Sequence, residues 1–76
     1  MMGMTSNLKM GNLVHIPSEV SLVARDDEGY AYEIIKTRRP MLGLYLSEGV
    51  DPGTSTVLYA GRRWEAFSNA LYPIEQ

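Results

Sequence analysis

Residues 41–46 read Met41-Leu42-Gly43-Leu44-Tyr45-Leu46, an alternation with a period of two and no helical repeat. A strand turns successive side chains to opposite faces, so Leu42, Leu44 and Leu46 share one side and Met41, Gly43 and Tyr45 the other. Full burial of a leucine stabilises a fold by about 1.5–3 kcal/mol before entropy. The leucine side is therefore expected to be core. Met41 and Tyr45 are then expected to form an exposed apolar patch suited to self-association.

Working outward, Arg38-Arg39-Pro40 punctuates the chain ahead of this strand, because the residue before a proline is driven away from helical backbone. Further upstream, Leu13–Ile16 predicts a strand ended by Pro17, and Val20–Arg25 alternates as a half-buried strand. Asp26-Asp27-Glu28-Gly29 has the composition of a hairpin tip, with Tyr30–Ile35 as the returning arm. Downstream, residues 47–55 read as a loop holding the type II turn Asp51-Pro52-Gly53-Thr54. Thr56–Ala60 and Arg63–Phe67 predict a hairpin around Gly61-Arg62, which would set Tyr59 opposite Trp64. A capped turn at 68–71 and a short edge strand at 72–74 complete the chain. Val14, Ile16, Leu42, Leu44, Leu46, Val57, Trp64 and Ile74 are the expected core. The reading is all-β, with a leader over residues 1–8 and one domain over 9–76.

At 76 residues the chain is one domain and buries only about 60% of its unfolded surface, so its stability is marginal. It has no cysteine, which excludes disulfides, thiolate metal sites and cysteine nucleophiles and fits a cytoplasmic location. The net charge of −2 weighs against nucleic acid, whose binding proteins usually carry a basic surplus. No apolar run reaches the ~20 residues of a membrane helix, and the first ten residues do not form a signal peptide.

The residues that could carry chemistry are few. His15 is the single histidine, and no second histidine or cysteine can join it on a metal. An exposed or hydrogen-bonded strand histidine is the plainer reading. Asp26, Asp27 and Glu28 lack the alternating spacing of a calcium loop and read as a solvated tip. Neither a metal nor a cofactor is expected. Arg38-Arg39 and Arg62-Arg63 are the strongest binding candidates, because an antiparallel 41–46/57–60 pair brings both to one end of the sheet. Four guanidinium groups there could receive phosphate; the plainer reading is surface charge balancing Glu33, Glu48 and Glu65.

Taken together, GNLVHIP at 11–17, RRPMLGLYL at 38–46, TVLYAGRRWEAF at 56–67 and SNALYPI at 68–74 follow the order of the SH3-like small barrel. The resemblance covers about residues 11–74 and implies five strands, a long RT-type loop and a 3₁₀ turn before the last strand. GNLV, GLYL and RWEAF also look like small barrel proteins of tailed phages, which would place the chain in a host cytoplasm. The chain departs from peptide-binding SH3 domains: ALYPI lies at residues 70–74 and Trp64 follows the hairpin, so a groove for proline-rich peptides is not expected. The expected Met41/Tyr45 face and the acidic surface point to a non-catalytic protein-interaction module that binds a protein partner or a second copy. Nucleic-acid binding at the arginines, as in some SH3-like barrels of ribosome- and transcription-associated proteins, is the alternative.

Overall fold

The protein is seen in a computed structural model that describes residues 8–74. It is all-β, with strands β1 (Leu13–Ile16), β2 (Ser21–Arg25), β3 (Ala31–Lys36), β4 (Met41–Glu48), β5 (Thr54–Tyr59), β6 (Arg62–Phe67) and β7 (Tyr72–Pro73). A 3₁₀ turn over Ser68–Ala70 precedes β7. All the strands join one antiparallel sheet in the order β3-β2-β6-β5-β4-β1-β7. The five strands expected are thus seven, because the long first connection folds into its own hairpin, β2–β3. The ladder runs open from β3 to β7. The expected leader over residues 1–8 lies outside the described residues except for Leu8, which packs against the core.

The core is formed by Val14 and Ile16 of β1, Leu22 and Ala24 of β2, Tyr45 of β4, Val57 of β5, Trp64 and Ala66 of β6, and Leu71. β1, β2 and β6 contribute alternate residues, as a sheet with one buried face requires, Val20 joins them ahead of β2, and β3 and β7 add no fully buried apolar residue. Val14, Ile16, Val57 and Trp64 are core as expected, and Ile74 is half-buried. The facing of β4 is the reverse of the expectation. Gly43 and Tyr45 point inward with Met41 against the core, while Leu42 is 53% exposed and Leu44 and Leu46 are half-buried. Pairing of β1 with β4 couples the two strands: Val14 lies opposite Gly43, and Leu13 opposite Leu44. With Val14 and Ile16 inside, the leucines are outside.

The β5–β6 hairpin also differs from its expected register. Ala60 and Gly61 form the two-residue turn, with φ of 55° and 76°, so Tyr59 faces Arg62 and Val57 faces Trp64. Positive φ at both central residues is the type I′ geometry, whose twist matches that of the strands. Trp64 still meets Tyr59, donating its indole N–H to the Tyr59 carbonyl at 3.3 Å. The turn at 51–54 is as expected, closed by the Thr54 amide on the Asp51 carbonyl at 3.2 Å. Buried Thr37 ties the base of the β2–β3 hairpin. Its hydroxyl donates to the Pro17 carbonyl at 2.7 Å and accepts the Val20 amide at 2.9 Å.

Core truncation will separate the two faces. Leu22→Ala, at a fully buried site, is expected to cost about 2–5 kcal/mol in urea unfolding, whereas Leu42→Ala costs about 1 kcal/mol or less. Equal losses at the two sites would contradict the observed facing of β4.

Candidate functional site

The reversal of β4 builds an apolar surface. Leu13, Leu44 and Leu58 occupy directly opposed positions on β1, β4 and β5 and form a row across three strands. Arg63 ends the row opposite Leu58. A second row places Leu42 beside His15, and His15 beside Tyr72 of β7. The His15 and Tyr72 rings are tilted, with centroids 6.2 Å apart. Leu13 is 37% and Tyr72 54% exposed, and Leu44, Leu46 and Leu58 are half-buried. Apolar side chains left partly in water forfeit about 25 cal/mol for each Å² not covered. Scattered single leucines need no explanation, but contiguous ones mark interaction surfaces.

The other half of this outer face is covered. Glu65 of β6 points outward between the inward-facing Trp64 and Ala66, yet it is buried. Its carboxylate accepts the Arg25 Nε–H at 2.9 Å and the Val50 amide. Arg25 also donates to the Gly29 carbonyl at 2.8 Å and to Asp51 Oδ2 at 3.2 Å. Its pKa is raised, first by the hydrogen bond to Glu65 and then by the charges of Glu65 and Asp51, against a desolvation that lowers it. This clasp draws both the β2–β3 hairpin tip and the 49–53 loop against β2 and β6. Gly49 permits the close approach, since a Cβ there would overlap Thr54 Oγ1 and stand 2.6 Å from Glu65 Oε2. The open part of the face is thereby β5, β4, β1 and β7, with Arg63 and Phe67 exposed at the two ends of β6.

The four arginines do not act as one cluster. The β3–β4 connection and the start of β6 do lie at the same end of the sheet, as the β4–β5–β6 register requires. However, Arg62 and Arg63 are neighbours on one strand and so point to opposite faces. Arg62 is committed within the molecule. Its Nη2 donates to Glu33 Oε1 at 2.6 Å, and its guanidinium stacks 4.5 Å from the Trp64 ring centroid and 6.0 Å from that of Tyr32. Its pKa is raised by the hydrogen bonds to Glu33 and then to Tyr32. Arg63 is exposed on the leucine side, and Arg38 and Arg39 are exposed before β4. None of these three side chains takes part in a hydrogen bond or ion pair among the described residues.

The expected Met41/Tyr45 patch is likewise corrected. Tyr45 is only 9% exposed and Met41 packs against the core, so neither offers an open surface. At the hairpin tip the Asp26 carboxylate accepts the amides of Glu28 and Tyr30, both at 2.9 Å, as an Asx-type turn. Asp27 and Glu28 are exposed. No helix among the described residues is long and apolar enough to cross a membrane.

Sequence reasoning missed two features. The leucine face was hidden because both sides of β4 are apolar; Gly43 at the centre of one side was the signal, since glycine marks close backbone approach. The clasp was hidden because Arg25 and Glu65 are 40 residues apart. A lone glutamate between Trp64 and Ala66 was its only trace. No protein-family model matches the chain, and neither a curated protein nor a solved structure does.

Loss of the guanidinium leaves the buried Glu65 carboxylate without its cation, so Arg25→Ala is expected to lower the midpoint of denaturant unfolding. Gly49→Ala is expected to destabilise as well, with amide exchange rising at Val50, whose N–H donates to Glu65, as the clasp opens. A Gly49→Ala protein of unchanged stability would refute the close packing of the 49–53 loop on Glu65.

Proposed function

We propose that this chain is a non-catalytic protein-interaction module of the SH3-like type, and that it binds its partner protein through the open leucine face. The row Leu13–Leu44–Leu58, flanked by Leu42 and Tyr72, carries the reading. Four features support the SH3-like assignment: a hairpin-bearing first connection, a three-strand meander, a 3₁₀ turn before the last strand, and β1 lying between β4 and β7. The usual SH3 ligand does not follow from it. Trp64 is buried beneath Arg62, where an aromatic groove for a proline-rich peptide would need an exposed ring. His15 supports no catalytic role, because its ring neighbour is Tyr72 rather than a carboxylate or a nucleophile.

The leucine face fits a partner whose own surface is apolar at the centre and acidic where it meets Arg63. Interfaces of this kind have an apolar core and a polar rim, and the core supplies most of the affinity.

A photo-crosslinking residue at Leu42 is expected to trap one dominant protein in the cells that make this chain, while the same residue at exposed Ser18 traps none. The trapped protein, once purified, should bind the unmodified chain and lose about tenfold or more in affinity to Leu44→Lys, a change at a half-buried outward site. Equal trapping at both positions, or binding indifferent to Leu44→Lys, would overturn the reading.

A further inference from the structure

The two edges of the sheet are treated differently. β7 is two residues long and contains Pro73, which has no amide to offer, so that edge is blunted. The other edge is β3, six residues without proline; a bulge at Tyr32 turns that ring toward Arg62, and beyond it Ile34 is 66% exposed. Thr37 directs both its amide and its carbonyl toward the chain leading into β2, through Val20 and Glu19. Backbone groups alternate along a strand. Ile35 and Glu33 therefore bond to β2, and the amides and carbonyls of Ile34 and Lys36 face solvent. The regular stretch from Glu33 to Lys36, with Ile34 exposed at its centre, is therefore a template for another strand.

Charge is distributed along this edge with one polarity. The chain enters β3 from the acidic Asp26-Asp27-Glu28 and leaves through Lys36, Arg38 and Arg39. Asp27, Glu28, Arg38 and Arg39 are exposed, and their side chains have no hydrogen-bond or ion-pair partner among the described residues. Lys36 has only a loose contact with exposed Glu19 at 3.8 Å. Such a segment is complementary to a reversed copy of itself.

We infer that β3 pairs antiparallel with β3 of a second copy, about a two-fold axis at Ile34, to form an isologous dimer. In this register Ile34 meets its own equivalent across the axis. The acidic hairpin tip of each copy comes within reach of Arg38 and Arg39 of the other. Centring the axis one residue earlier would set Glu33 against Glu33, an opposition of like charge that disfavours it. Because the axis repeats every contact, each charge pairing occurs twice. The leucine face plays no part in this contact, so the dimer stands or falls separately from the function proposed above.

Sedimentation velocity of the full chain across concentrations, at low and at moderate salt, is the test. The expected result is a monomer–dimer equilibrium weakened by salt. The double variant R38E/R39E should dissociate about tenfold more readily, and D27K/E28K likewise. An equimolar mixture of the two should restore a one-to-one heterodimer, since both sets of contacts again join opposite charges. All four positions are exposed, so the fold is retained. Leu44→Lys should leave the equilibrium unchanged. A monomer at every concentration would overturn the inference. So would a dimer indifferent to the charge reversals, or one that Leu44→Lys abolishes.

Discussion

A side chain added at Gly43 would stand 3.0 Å from Ile16 Cδ1 and 3.3 Å from the Leu58 carbonyl oxygen. There is no room at the middle of β4 for anything inside the sheet except backbone, because Ile16 of the neighbouring strand fills that space. Gly43 must therefore be the inward residue, and strand alternation carries Tyr45 inward with it and Leu42, Leu44 and Leu46 outward. The same pairing commits β1, whose Val14 and Ile16 are fully buried while Leu13 stays at the surface. A small domain has a thin interior, and a strand with two apolar sides must leave one of them in water. The leucine face is the consequence of that shortage of space.

Charged residues divide the rest of the surface. The Arg25–Glu65 clasp folds the hairpin tip and the 49–53 loop over β2 and β6, so half of the outer sheet acquires a lid. Arg62, held by Glu33 and stacked over Trp64, covers the indole ring. What remains uncommitted is the leucine half of the outer face, the β3 edge, and the unpaired charges at the two ends of that edge. These surfaces do not overlap: the leucines sit on β1, β4 and β5, and β3 lies at the far end of the strand order. One chain can therefore pair with its own copy along an edge and still present an apolar face to another protein.

Much of the architecture was legible in the residues. Turn chemistry placed the hairpin tip at 26–29 and the 51–54 turn, and alternation found β1, β2 and β4. Two kinds of information were not local. The facing of β4 depends on which neighbour fills the space at Gly43, and a period-two pattern with apolar residues on both sides cannot state it. The β5–β6 register turned on whether Ala60 adopts a positive φ, which lies outside the usual preference of alanine. The arginines illustrate the same limit: the sheet end they share was deducible from strand order. The opposed directions of Arg62 and Arg63 follow from Arg62 lying in β6 rather than in the turn, and its capture by Glu33 joins residues 29 apart in sequence. Strand β3 was read as a hairpin arm, but only the strand order shows that it is an edge.

The facing of β4 is the claim from which the rest descends, and it can be observed in solution without any partner. Methyl and aromatic proton signals can be recorded while a neutral, water-soluble paramagnetic agent is added. The account predicts strong broadening of the Leu42 and Leu13 methyls, partial broadening at Leu44 and Leu58, and protection of Ile16, Leu22 and the Tyr45 ring. Protected Leu42 and Leu44 methyls beside a broadened Tyr45 ring would place the leucines inside and contradict the account.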